Sequence, residues 1–533
     1  MFSKFKPTQA YFGLRGGWLT FWVTVACATD MMLFGYDQGV FGGVVVTKDF
    51  LDTLNLNDNA TLLGTVTAIY DIGCLFGAII TMIWGENWGR KKSIIYGTTI
   101  MSVGALLQIT AFGVPQMIVG RIIAGLGNGI NTSTAPVWQG ETSQAKWRGK
   151  LIVIELTLNI AGFSLSNWIT FAFSFLPGPV AWRFPLAFQF VFIFILYATV
   201  PWLPESPRWL IAHDRPEEAQ VIIADLEDKP VDEPYVITQH TEIVAAVQYE
   251  RHHAVSWVDL LRGRTKEGGT CAIRRMILGA GAQFMQQGAG INVTSYYLPT
   301  VLMKSVGLSE TLARLLAACN SISYLIAGTV GIANIERWGR RRLFMSCALG
   351  QGLCYLLITI LLRFNEKEGY AHSKEVASAS IAFFFLYYIF FGCGFQGIPW
   401  LLPVELNSLS MRTKGAGLGT ATNWAMNFLV VEITPIGIET LRWKFYIIWT
   451  VLNLVFVPTI YFFYPETANR QLEDIDLFFR DNQSVLIHNN PEAVSLLRPE
   501  RYIETEQNLV HLNKSIPDTK ETVSGQGEHM EAV

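Results

Sequence analysis

Glu86-Asn87-Trp88-Gly89-Arg90-Lys91-Lys92 stands between two long apolar runs. The other half of the chain repeats it as Glu336-Arg337-Trp338-Gly339-Arg340-Arg341-Arg342, again between two apolar runs. Two more pairs recur in the same order. Glu141 and Arg148 match Glu405 and Arg412 at identical spacing, and Pro204-Glu205-Ser206 matches Pro465-Glu466-Thr467. Three charged signatures in one order, set among apolar segments, imply two membrane bundles built on a single plan. Parallel repeats of this kind place a solute site between the halves, where the halves can rock around it. The repeat points to a carrier.

Composition agrees. Of 533 residues, 51% are hydrophobic and 16% charged, against about 25% charged in soluble chains. Apolar stretches of the roughly 20 residues needed to cross a bilayer fall at 18–46, 61–84, 94–113, 115–138, 151–175, 184–203, 274–302, 311–334, 343–362, 378–402, 415–436 and 443–464. The fold class expected is an all-α membrane protein of twelve transmembrane helices in two pseudo-symmetric six-helix bundles. Residues 1–203 form the first bundle, 204–272 a polar linker with short helices, and 273–465 the second bundle. Residues 466–533 form a tail, disordered from about residue 510, where Lys, Glu, Thr and Gly dominate.

Several classes drop out. The net charge is −3 and the basic residues lie in short loops, so no nucleic-acid surface is built. The seven Cys suggest neither a disulfide framework nor a metal site. No nucleophile, cofactor motif or phosphate loop argues for an enzyme. The first span is too long for a signal core and no cleavable leader is apparent.

Lys and Arg set the orientation. Arg90, Lys91 and Lys92 follow the second span, Lys146 and Arg148 the fourth, Arg340 to Arg342 the eighth, and Arg412 and Lys414 the tenth. The loops after the odd spans are poorer in basic residues, although Arg363, Lys367 and Lys374 after the ninth fit least well. Basic loops face the cytoplasm, which puts both termini inside. The sequon Asn59-Ala60-Thr61 then faces outside as a glycosylation acceptor.

With these residues in view, the chain resembles the sugar porter family of the major facilitator superfamily over essentially its whole membrane region. The resemblance rests on Gly120-Arg121 with Gly125, Gly127 and Gly129, and on Glu141…Arg148-Gly149. It rests also on Pro204-Glu205-Ser206-Pro207-Arg208, on Gln286-Gln287…Asn292…Tyr296-Tyr297, and on Pro465-Glu466-Thr467. Trp182-Arg183-Phe184-Pro185-Leu186 and Pro465 to Arg470 are similar to the fungal hexose and polyol carriers. The resemblance implies a multi-pass plasma-membrane protein that moves a monosaccharide or polyol by alternating access. Its partners would be that solute, a proton and the lipid bilayer.

Three groups of residues are candidates for function. Charges at helix ends can latch one face of the protein, since an Arg there meets both helix carbonyls and a neighbouring carboxylate. Glu86, Arg90, Glu141 and Arg148 would latch the first half, and Glu336, Arg340, Glu405 and Arg412 the second, with Glu205 and Arg208 joining after span 6. Simple anchoring of the helix ends is the plainer alternative.

Solute recognition calls for amides, which donate and accept without the desolvation cost of a charge, and for aromatic faces. Gln287 and Asn292 are five residues apart, and a helix broken near Gly288 and Gly290 would turn both toward one cavity. The resemblance implies Gln286, Gln287, Asn292, Trp400 and Asn423 as sugar contacts, with Trp424 and Asn427 beside them. Interhelical bonding is the competing role for such amides. Two positions depart from the family pattern: Leu156 stands where a sugar-binding Gln is usual, and Tyr324 where an Asn is.

Ionisable groups inside the spans form the third set. A charge at the bilayer centre costs at least about 2.5–3.5 kcal/mol, so it pairs or faces a cavity. The resemblance sets Asp37 against Arg121, making Asp37 the proton carrier and Arg121 its release partner, with Glu155 a second candidate. A structural ion pair in a facilitative hexose uniporter, a glycerol or polyol symporter, and a transporter-like nutrient sensor remain alternatives. The short tail argues against the sensor.

Overall fold

In the hydrocarbon of a bilayer each backbone N–H and C=O must find its partner within the chain, which leaves helices as the natural solution for apolar runs such as these. The computed structural model describes residues 11–504 except 12, 58, 145–147, 254–271, 368–369, 409–410, 471 and 483. Among the described residues every regular element is helical. The twelve expected spans correspond to α1 (Gly16–Val44), α2 (Ala60–Trp88), α3 (Arg90–Ile109), α4 (Val114–Thr142), α5 (Arg148–Phe173), α6 (Val180–Thr199), α7 (Ala272–Gly288), α8 (Glu310–Trp338), α9 (Arg340–Asn365), α10 (Ser373–Phe390), α11 (Arg412–Thr440) and α12 (Phe445–Phe463).

Two spans are not continuous. The seventh runs on past Gly288 as the short helices Ile291–Ser295 and Leu298–Val301 and a wide turn at Leu302–Val306. The tenth passes through a wide turn at Phe391–Phe395 into Ile398–Leu406.

Seven of these spans are long and apolar enough by composition alone to cross a membrane, and α3, α4, α5, α7 and α11 are not among them. The reason is visible in three of these. Arg121 on α4 and the asparagines of α11 lower their hydropathy, the break after Gly288 leaves α7 only 17 residues long, and the Arg121, Gln286, Gln287, Asn423 and Asn427 side chains are buried inside the protein.

Within the first bundle α1 packs on α5, and α2 and α3 on α4; within the second, α7 packs on α11, and α10 and α12 on α9. The bundles meet where α2 lies along α11 and α5 along α8. A shift of six helices turns α2 into α8 and α5 into α11, so the two seams are equivalents under the internal repeat. Glycines bring α2 and α4 together. A Cβ at Gly73 or Gly77 would run into backbone of α4, and one at Gly125 or Gly129 into backbone of α2. This small-residue seam sets Asp71 of α2 near Arg121 of α4.

The first and last described residues and the charged repeats share one face, the basic face. Helices Pro207–Ala212, Pro216–Glu227 and Pro234–His253 connect the bundles there, and Arg15 meets Asp225 at 3.2 Å. After α12 the chain folds back onto the second bundle. The Ile487 N–H donates to the Phe462 carbonyl at 2.9 Å, and Arg498 pairs with Asp474 at 2.7 Å. The expected disordered stretch from about residue 510 lies outside the described residues.

Candidate functional site

The sequence Gln286-Gln287-Gly288-Ala289-Gly290 ends α7 inside the membrane region. Gly290 takes φ +88°, a left-handed conformation natural to glycine, and a Cβ there would press on Trp449 and Tyr355 at 3.0 Å. Carbonyls freed by the break are recaptured by side chains. Tyr355 Oη donates to Gly290 O at 2.8 Å, while Tyr387 Oη and Asn453 Nδ2 donate to Ala289 O at 3.1 and 3.0 Å. Such recapture is what permits non-helical backbone at this depth.

The break gathers the amides into one hydrogen-bonded cluster. Asn292 Nδ2 donates to Gln287 Oε1 and to Asn427 Oδ1, each at 2.5 Å. Gln287 Nε2 donates to Asn423 Oδ1 at 3.2 Å, and Asn423 Nδ2 to Gln286 Oε1 at 2.8 Å and Gln283 Oε1 at 2.6 Å. All six side chains are buried. Gln283, which the sequence reading passed over, stands one turn before Gln287 on the same face.

The two tryptophans differ. Trp424 is buried, meets Phe34 of α1 edge-on at 5.7 Å across the bundle seam, and has no partner for its Nε1–H among the described residues. Trp400 is half-buried. It follows Pro399, whose carbonyl accepts from Gln283 Nε2 at 2.9 Å.

The cluster continues into the first bundle. Asn427 Nδ2 donates to Asp71 Oδ1 at 3.1 Å. Asp71, Asp37 and Arg121 are all fully buried. The direct Asp37–Arg121 pairing expected from the resemblance is not formed in this conformation. Arg121 Nη2 instead donates to Thr67 O at 2.6 Å, and its guanidinium lies over the rings of Phe41 and Tyr70, 3.7 and 4.4 Å from their centroids. These aromatic faces and the carbonyl hold the cation, so Asp37 acts on it only at longer range. Glu155 is buried on α5 within electrostatic range of the buried Asp30 of α1, apart from this cluster.

A second polar contact bridges the bundles. Tyr324 Oη donates to Gln396 Oε1, and Gln396 Nε2 reaches Asn159 Oδ1 of α5 at 3.5 Å. At the face opposite the basic one, Arg314 Nη2 donates to Thr47 Oγ1 at 3.0 Å and Thr65 Oγ1 to Glu432 Oε1 at 2.7 Å. Both bonds join one bundle to the other on that side.

At the basic face the two charged networks are near copies. Arg90 pairs with Glu141 through two bonds of 2.9 and 3.0 Å, and Glu205 accepts from the N–H groups of Arg90 and Lys91 at 3.0 and 3.3 Å. Arg340 bonds Glu336 at 2.5 and 2.7 Å and Glu405 at 3.0 Å, while Glu466 accepts from the N–H groups of Arg340 and Arg341 at 2.8 and 3.2 Å. The Glu205 and Glu466 carboxyls thus cap the N-termini of α3 and α9. Each is packed against a glycine of positive φ: a Cβ on Gly89 would lie 2.7 Å from Glu205, and one on Gly339 2.5 Å from Glu466. Burial raises the Glu205 carboxyl above its ordinary value, opposed by the N–H groups that bond it.

The copies are unequal at Glu86. Its side chain is exposed, and it contributes its backbone carbonyl, which accepts from Trp209 Nε1 at 2.5 Å. Arg208 and Arg412 stand on the same face, and the Arg148 side chain lies outside the described residues.

The profile of the family described as Sugar (and other) transporter matches residues 22–479. The chain belongs to this family.

The transporter is 57% identical over 528 residues to the MFS-type transporter oryC of Aspergillus oryzae, covering 99% of this chain and 97% of that one. It is 36% identical over 490 residues to the sugar transporter STL1 of Saccharomyces cerevisiae, covering 90% and 84%. Its fold matches that of the proton:xylose symporter XylE of E. coli bound to 6-bromo-6-deoxy-D-glucose, with a TM-score of 0.69 at 22% identity over 86% of this chain and 99% of that one.

Unequal burial within the second charged network of the transporter gives a test. Glu466 is 1% exposed and also accepts from the N–H groups of Thr467 and Ala468 at 3.1 and 3.0 Å. Its removal strands four backbone donors, and each buried orphan costs about 1–3 kcal/mol. The Glu336 side chain is 59% exposed, and such pairs are worth about 0–1 kcal/mol. Glu466→Ala is therefore expected to lower the melting temperature in detergent by several degrees, and Glu336→Ala hardly at all. Equal shifts would remove the helix-capping role.

Proposed function

We propose that the transporter carries a monosaccharide, most directly a hexose, together with a proton, by alternating access across the plasma membrane with both termini in the cytoplasm. The observation that supports this most strongly is the continuous hydrogen-bonded path from the amides at the α7 break, through Asn427, to a buried carboxyl of the other bundle.

Neutral hydroxyls can replace amide–amide bonds one for one, each hydroxyl both donating and accepting. A solute that inserts among Gln283, Gln286, Gln287, Asn292, Asn423 and Asn427 therefore exchanges hydrogen bonds without stranding any. Trp424 and Trp400 offer apolar faces beside it. With the Thr47–Arg314 and Thr65–Glu432 contacts holding one side closed, rocking of the bundles along the α2–α11 and α5–α8 seams opens the other. The paired latches would hold each bundle rigid while it moves.

The proton supplies the driving force. One charge moved through the membrane is worth about 2.3 kcal/mol per 100 mV, and each tenfold accumulation costs about 1.4 kcal/mol. One proton per solute thus sustains more than tenfold accumulation. Asp37 carries it, with Arg121 close enough to favour its release.

A smaller polyol such as glycerol is the second reading. Tyr324 puts a phenol where the family has an Asn, and its bond to Gln396 occupies space that a hexose hydroxyl would use. Purified protein in proteoliposomes, tested with labelled glucose and in parallel with labelled glycerol, each against a competing panel of hexoses, pentoses, disaccharides, glycerol and sugar acids, separates the two. Competition by hexoses supports the first reading, competition by glycerol alone the second. Absence of flux for every neutral polyhydroxylated solute would reject both.

A further inference from the structure

The charged pocket between α1, α2, α4 and the broken α7 holds one carboxyl more than its guanidinium can balance. Asp37 of α1, Asp71 of α2 and Arg121 of α4 act on one another electrostatically and are fully buried. Cys74 on α2, Tyr296 and Tyr297 beyond the α7 break, and Asn427 on α11 complete the polar surroundings of Asp71, and Tyr70 faces Asp37. With both carboxyls ionised the pocket would keep an uncompensated negative charge, which a buried site disfavours. Uptake of one proton by either carboxyl is the change that would balance the pocket.

Hydrogen bonding singles out the same place. Asp37 faces the Tyr70 hydroxyl and Tyr297 faces Thr67, while Asp71 Oδ2, the Tyr296 hydroxyl and Arg121 Nε and Nη1 are buried with no hydrogen-bond partner among the described residues. Buried polar groups are ordinarily satisfied. So many unsatisfied ones around two carboxyls are poor structural glue and a good environment for a mobile proton.

Asp71 Oδ1 is the exception, because it accepts from Asn427 Nδ2, while Asn427 Oδ1 accepts from Asn292. The Asn427 amide is therefore shared between the solute-binding amides and a carboxyl of the opposite bundle.

We propose that Asp71 is a second proton-carrying carboxyl and that Asn427 couples its protonation to occupancy of the amide cluster. The proposal rests on the proton-coupled reading above. Ionised Asp71 holds Asn427 by a charge-assisted bond. When a proton from the outer solution forms an O–H bond on Asp71, that acceptor weakens and Asn427 is free to turn toward a solute hydroxyl. Solute departure returns Asn427 to the carboxyl, and the O–H bond breaks with release of the proton to the inner solution. No other reactant is needed.

The test uses full-length protein in proteoliposomes with labelled glucose, or labelled glycerol where glucose gives no flux. Solute-induced alkalinisation, accumulation under an imposed proton gradient, and counterflow exchange are read together. Asp71→Asn is expected to bring accumulation from more than tenfold to about one and to abolish alkalinisation while counterflow persists, and Asp71→Glu to restore both. Asn427→Leu leaves both carboxyls in place and is expected to let protons pass without matched solute.

Wild-type protein without alkalinisation overturns the proton-coupled reading itself. Wild-type alkalinisation that Asp71→Asn retains overturns the role of Asp71 alone. Loss of counterflow as well, unrescued by Asp71→Glu, makes Asp71 a structural carboxylate and also overturns it. Should Asp71→Asn fail to assemble, full coupling in Asn427→Leu has the same overturning force.

Discussion

Asn292→Ala is expected to reduce solute uptake by about a hundredfold while the protein still reaches the membrane. Asn292 Nδ2 is the shared donor to Gln287 and Asn427, so truncation strands two buried acceptors at about 1–3 kcal/mol each. It also deletes a donor to the solute. At 1.4 kcal/mol per tenfold, the loss of one good solute contact and the misplacement of two more account for the expected drop. The side chain lies on a five-residue helix just after the α7 break, and the side chains that anchor the break, Tyr355, Tyr387 and Asn453, do not depend on it. Initial uptake rates normalised to surface protein check this. Uptake within twofold of wild type would mean that the amides bind helices to each other and not solute.

Asp37→Asn is expected to abolish uphill accumulation and leave exchange of labelled for unlabelled solute within about threefold of wild type. The hydrogen-bonding neighbour of Asp37 is the Tyr70 hydroxyl, and the amide oxygen of an Asn can accept from it as the carboxyl does, so the substitution deletes a charge without stranding the phenol. Arg121 keeps its own anchorage on Thr67, Phe41 and Tyr70. What disappears is the group that takes a proton across the field, and with it about 2.3 kcal/mol per 100 mV of driving force. Accumulation under a proton gradient and exchange at zero gradient separate the effects. Persistent accumulation in the variant would move the coupling role elsewhere, with Asp71 the first alternative.

The architecture was legible because the bilayer imposes it. Each of the twelve apolar stretches read from the sequence corresponds to a helix, although only seven of these are long and apolar enough by composition alone to cross a membrane, and the charged repeats announced two bundles, since a helix end at a membrane face accepts few residue types. The break in α7 was readable from Gly288 and Gly290 among polar side chains. Glu466 had its signal too: alignment with Glu205 through the repeat assigns it the same capping place, and Gln283 lies at helical spacing from Gln286 and Gln287.

Other parts were not readable. Asp71 sits in Ala68-Ile69-Tyr70-Asp71-Ile72 with no local partner, and the group that gives it meaning, Asn427, lies in the other bundle. Its position depends on the glycine seam between α2 and α4, a tertiary contact. The separation of Asp37 from Arg121 was equally hidden. It follows from Phe41 and Tyr70 closing over the guanidinium, a choice of conformation that neither sequence position announces.

Proton coupling is read most directly from the external pH of a lightly buffered suspension of proteoliposomes when labelled sugar is added, recorded together with sugar entry. Alkalinisation that rises and saturates with the flux is expected. Saturable sugar entry with no pH change would contradict proton coupling, and no entry of any sugar or polyol would contradict the solute site as well.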